Sequence, residues 1–184
     1  MGEPTHSERT AVHEASHALV ALVFGVVVTE IRLRPGRVRF GAVMEDPMCD
    51  LCVRLAGAAG ERIAFSDYDP PGFDPLEGCQ DDRARADDAA WRATFDLDEM
   101  DALKAEAHSR VTDLLSENWT EVEDLAVALL KSPGGVICDP NSPSGQGPSE
   151  MAPVGDSCAG EGRLFTPFRA ALSRPARIGG GVQS

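Results

Sequence analysis

Eleven residues, AVHEASHALVA from Ala11 to Ala21, restrict this chain more than any other stretch. His13 and His17 stand four apart in an apolar run, and Glu14 follows the first histidine directly. On a helix, positions i and i+4 share a face, so the two imidazoles point the same way with the carboxylate beside them. Leu19, Val20, Leu22 and Val23 make the second half of the run apolar almost all round, which marks a central helix and not a surface one. In that setting His and Glu without partners would be costly to bury. A divalent metal ion supplies the compensation.

The rest of the chain bounds the setting. Its 184 residues, 42% hydrophobic, can bury one ordinary core. The formal charge of −13 repels phosphate backbones, so no nucleic-acid partner is expected. No apolar run is long enough to cross a bilayer, and the opening MGEPTHSERTAVHE is polar and acidic where a signal peptide is basic and then apolar. The expectation is a cytoplasmic protein without a membrane partner. Five cysteines fit reduced thiols better than a disulfide framework.

Local signals place the elements. Thr5 and Glu8 form a capping box ahead of a helix over 6–24, ended by Gly25. Ile31 and Leu33 alternate with Arg32 and Arg34, the pattern breaks at Pro35-Gly36, and it resumes at Val38, Phe40 and Ala42: a short β-hairpin. Residues 50–65 are rich in Ala and Gly, with Leu51, Leu55, Ala58 and Arg62 at helical spacing, and the small residues permit close packing on a neighbour. A loop dense in Pro, Gly and Asp follows, then a helix from about Asp81. DLDE and NWTE open two more helices, over 97–116 and 119–131. Their buried stripes are Met100, Leu103, Ala107, Val111 and Leu114, then Trp119, Val122, Leu125 and Leu129. From Pro133 onward ten Gly and seven Pro leave too little apolar surface to offset chain entropy. The expected organisation is a mainly α (α+β) domain over 1–132 and a disordered tail over 133–184.

The His-Glu-x-x-His spacing carries a definite chemistry. Zinc held by the two imidazoles makes water acidic near neutral pH, and Glu14 is placed to take the proton and pass it to a leaving amine. The metzincin extension is excluded, because Val20 and Val23 stand where that class needs Gly and His. For a third ligand the residues leave two candidates, Glu61 in GERIA and Asp82 in GCQDDRARA.

RTAVHEASHALVALVFG resembles the active-site helix of the FtsH-type zinc peptidase domain, the proteolytic half of the membrane-bound AAA proteases. VTEIRLRPGRVRFGAV is similar to that family's hairpin, with Pro35, Gly36 and Gly41 at the matching places. LAGAAGERIAF resembles its small-residue helix, and GCQDDRARADDAA the segment whose final Asp is a zinc ligand. The likeness covers residues 9–93 closely and 97–131 loosely. It implies a helical, zincin-like metallopeptidase fold with Zn2+ on His13, His17 and Asp82, and Glu14 as general base. Asp81 competes with Asp82, and Ser16 replaces a usual Gly. Glu61 then becomes a carboxylate that accepts the other ring N–H of a ligating histidine, or else a surface group paired with Arg62 or Arg54. The chain carries no Gly-Lys-Ser/Thr nucleotide loop, so the expected substrate is a peptide or an already unfolded protein.

Other features are weaker. Arg32 and Arg34 beside Gly41 suit an edge strand that binds an extended, acidic peptide by strand addition, although alternating arginines are more often the wet face of a strand. Cys49 and Cys52 have the spacing of half a zinc knuckle, but the other cysteines supply no second half, which makes them surface or half-buried thiols. His6 and His108 stand apart, facing solvent. Two rival readings remain: a non-catalytic interaction protein that keeps the fold, and a hydrolase acting on bonds other than amides. Residue chemistry leaves the oligomeric state open.

Overall fold

The computed structural model describes residues 4–66 and 79–139. Five helices carry the architecture: α1 (His6–Val23), α2 (Pro47–Ala64), α3 (Gln80–Thr94), α4 (Leu97–Glu117) and α5 (Trp119–Lys131). A small antiparallel sheet adds β1 (Val28–Leu33), β2 (Gly36–Phe40) and β3 (Val136–Cys138), in the order β2-β1-β3. The mainly helical α+β class stands. Among the described residues no helix is long and apolar enough to cross a membrane.

α1 is the central element. Thr5 caps it reciprocally with Glu8, each satisfying a backbone N–H of the other. Ala11, Ala15, Ala18 and Val20 are fully buried, and α1 packs against α2, α5 and the sheet. α2 starts earlier than its composition suggested, because Asp46 accepts from Met48 N and Pro47 takes the first turn, where its missing N–H costs nothing. Its buried face is Leu51, Val53, Ala56, Gly57 and Gly60, whereas Leu55 and Ala58 are half-buried and Arg62 is exposed. Small residues let α2 approach α1 closely: a Cβ at Gly60 would run into the Ser16 side chain, and one at Gly57 into the rings of His13 and His17.

Several expectations need correction. The α4 stripe runs Ala107, Val111, Leu115 at strict i+4 spacing, so Leu115 and not Leu114 is buried. Asn118 does not cap α5 with its side chain. Its amide instead donates to Leu114 O at 2.7 Å and closes α4. Cys49 and Cys52 are buried on α2, not superficial, and burial pushes the Cys52 thiol up to about 11. His6 is exposed, but His108 is half-buried beside Arg62.

The domain also ends later than 132. Gly134 and Gly135 take positive φ (68° and 66°), a turn that returns the chain to the sheet. Val136, Ile137 and Cys138 then pair with Arg32, Ile31 and Glu30 of β1. Ile137 is buried, and the compact unit runs to Asp139. Averaged over a Gly- and Pro-rich window, a three-residue strand vanishes. The rest of the expected tail, 140–184, lies outside the described residues.

Candidate metal centre

Two helices deliver three side chains to one point. α1 presents His13 and His17 from successive turns, their ring centroids 4.6 Å apart, and α3 presents Asp82 from its first turn. His13 Nε2 and His17 Nε2 are 2.9 Å apart, and Asp82 Oδ2 lies 3.2 Å from the first and 3.3 Å from the second. Asp81, a step further round α3, is exposed and stands outside this group. Of the two competing aspartates, Asp82 joins the histidines.

The opposite ring nitrogens are held as well. His17 Nδ1 donates to the Val53 carbonyl at 2.6 Å, which fixes its tautomer and leaves Nε2 as a lone pair. His13 Nδ1 donates to Glu61 Oε1 at 2.8 Å, and Glu61 Oε2 accepts from Arg9 Nη2 at 2.8 Å. Glu61 therefore serves His13 and is not paired with Arg62 or Arg54. Burial opposes its charge, yet the bonds from His13 and Arg9 hold its pKa below the usual value. Arg9 was invisible in the sequence because 52 residues separate the pair. Cys79 Sγ, 3.8 Å from His13 Nδ1, was also missed, since it stands at the entry to α3, 66 residues from that histidine, and no spacing links the two.

Do these donors fit zinc? Two imidazole nitrogens and a carboxylate oxygen are a usual catalytic zinc set. Around a four-coordinate ion with bonds of about 2.0–2.1 Å, donors lie about 3.3 Å apart, so the observed triangle needs little adjustment. Two Nε2 lone pairs at 2.9 Å also require a cation between them. Without metal a proton fills that role: burial opposes the His13 imidazolium, but hydrogen bonds with Asp82, Cys79 and Glu61 raise its pKa to about 12. Asp82 is correspondingly held far below its usual value despite burial. The residues fit the ion.

Glu14 borders the same cleft, which measures about 500 Å³. It is only 6% exposed, and burial raises its pKa although His17 and His13 pull the other way. The hairpin turn lies directly on it, since a Cβ at Gly36 would meet Glu14 Oε1 at 2.6 Å. Of the hairpin residues expected to contact a substrate, Arg34 lines the cleft and Arg32 and Gly41 do not. Arg32 pairs with Glu30 at 3.0 Å, and Gly41 N donates to Val27 O at 2.8 Å. Glu30 also draws Arg37 and Arg39, each at 3.5 Å, so much of the arginine comb is a solvated face organised on one carboxylate.

Neither the protein-family models nor the curated proteins contain a match to this chain.

Because Glu61 orients a candidate ligand, Glu61→Gln is expected to lower zinc affinity by about 10- to 100-fold with the fold intact. Competition against a chromophoric chelator measures it, and unchanged affinity would remove Glu61 from the site.

Proposed function

We propose that this protein is a zinc-dependent, ATP-independent peptidase that acts in the cytoplasm on peptides or unfolded chains, a relative of the FtsH-type peptidase domain. One observation carries the reading: two imidazole nitrogens and a carboxylate oxygen from two separate helices stand within 3.3 Å of one another, on a cleft that also holds a buried glutamate.

His13, His17 and Asp82 would hold the ion, which when bound supplies Lewis acidity toward water and the scissile carbonyl. The protein's own groups do the rest. Glu14 accepts a proton from the attacking water and delivers it to the departing amine nitrogen as the C–N bond breaks. Its raised pKa suits both halves of that transfer. Glu61 and the Val53 carbonyl keep each imidazole in one tautomer and orientation throughout. β2 is an edge strand whose Val38 and Phe40 line the cleft, so a substrate backbone can add to the sheet alongside Glu14.

The test is metal content together with cleavage. Purified protein is expected to carry zinc at one per chain and to cut an unstructured fluorogenic polypeptide. A chelator should abolish cutting, and added zinc should restore it. Protein that takes up no zinc would end the proposal; zinc-loaded protein that cuts nothing would favour the interaction-protein reading.

A further inference from the structure

Among the described residues, the cleft of this strongly acidic protein is bordered by five arginines and no lysine. Two of them are engaged: Arg9 with Glu61, and Arg54 with Asp50 at 3.0 Å. The other three are exposed. Arg34 donates to Ser7 Oγ at 3.0 Å, a neutral partner, and Arg37 reaches Glu30 only at 3.5 Å. Arg85, on α3 one turn beyond Asp82, has no hydrogen bond or ion pair among the described residues.

The carboxylates of the cleft do not cancel these charges. Asp82 is committed to the histidines, Glu61 to His13 and Arg9, and Glu14 is buried on the floor. Among the described residues of the cleft, Asp81 alone stays exposed against three guanidinium groups. The rim is therefore positive, inside a concave surface that concentrates its field, on a chain that otherwise repels anions. Arginine, with its planar fork of donors, suits carboxylates.

We infer that Arg34 and Arg85, with Arg37 at the start of β2, select substrates with acidic side chains: the hairpin and α3 supply separate arginines on one cleft, beside an edge strand able to hold an extended peptide. This deepens the peptidase reading and rests on it for the consequence, although not for the binding. The deficit of counter-charge sits on the rim and not at the ligands, so it acts on affinity and not on proton transfer. Phosphate esters would satisfy the same forks, but a nucleic-acid backbone must approach the rest of a chain of formal charge −13.

The experiment uses full-length zinc-loaded Glu14→Gln protein and fluorescent, unstructured peptides of one sequence frame carrying Glu, Gln or Lys at alternate positions. Anisotropy titrations are expected to rank Glu over Gln over Lys, with about tenfold between the first two, falling as salt rises. Arg85→Glu and Arg34→Glu, both exposed changes, should each shrink the ratio, and the double variant should favour the Lys peptide. Equal affinities, a ratio unmoved by both variants, or tighter binding of a single-stranded oligonucleotide would overturn the inference. If acidic peptides bind as expected while the wild type cuts none of them, the catalytic proposal falls and the binding preference stands.

Discussion

Glu14→Gln is expected to leave zinc bound at one per chain and to lower peptide turnover by about 10²- to 10⁴-fold, the range a positioned general base contributes. The substitution keeps volume and shape in a side chain that is only 6% exposed, so packing against the hairpin turn at Gly36 is preserved. It removes the group that takes a proton, and none of the donor atoms. Loss should therefore fall on kcat, with peptide affinity little changed. The same replacement relieves a buried carboxylate whose charged form burial disfavours, so stability should hold or rise slightly. That direction separates a catalytic role from a structural one. A variant that cuts at the wild-type rate would remove Glu14 from the chemistry, and one that loses its zinc would show that Glu14 holds the site together.

How much of this was readable in the sequence depends on the range of each interaction. Signals confined to one helical turn were legible: the Thr5 and Glu8 capping box, the Asp96 cap of α4, and the i+4 pairing of His13 with His17. Asp82 lies 65 residues from His17, and no spacing rule reaches that far; the residues alone left it level with Glu61, and only the ordered resemblance preferred it. The bond from Arg9 to Glu61 joins two helices and had no local trace. Where local reading failed, competing geometry explains it. The Asn118 amide found a carbonyl of the preceding helix before it could cap the next. Leu114 and Leu115 are equally apolar, and only the face that α4 turns to its neighbours chooses between them. β3 carries a short β-branched and apolar run, Val136-Ile137-Cys138, set off by Gly134-Gly135; that run was the available signal, and the composition of the following residues masked it.

The glycines of α2 give the most demanding test, because Gly57 binds nothing and yet limits the metal centre. A Cβ there would collide with His13 Cε1 and with Nε2 of both histidines, the very atoms proposed to hold the ion. Those rings cannot simply turn away, since Glu61 and the Val53 carbonyl anchor their far sides at 2.8 and 2.6 Å. Relief must come from parting α1 and α2, or from breaking a ring hydrogen bond. Gly57→Ala is accordingly expected to cost about 1–3 kcal/mol, the range for overpacking a tight interior. If that strain falls on the donor triangle, zinc affinity drops by about ten- to a hundredfold. Gly41→Ala is the matched control, because the nearest atoms to its Cβ would be those of Thr29 and Val27 at 3.4 Å. The decisive readout is the shift in melting temperature that zinc produces, which reports the affinity of the folded state for the ion. Strain confined to packing would lower both melting temperatures and keep the zinc shift. Strain at the donors would shrink the shift as well, and an undiminished shift in Gly57→Ala would show that its strain spares the donor triangle.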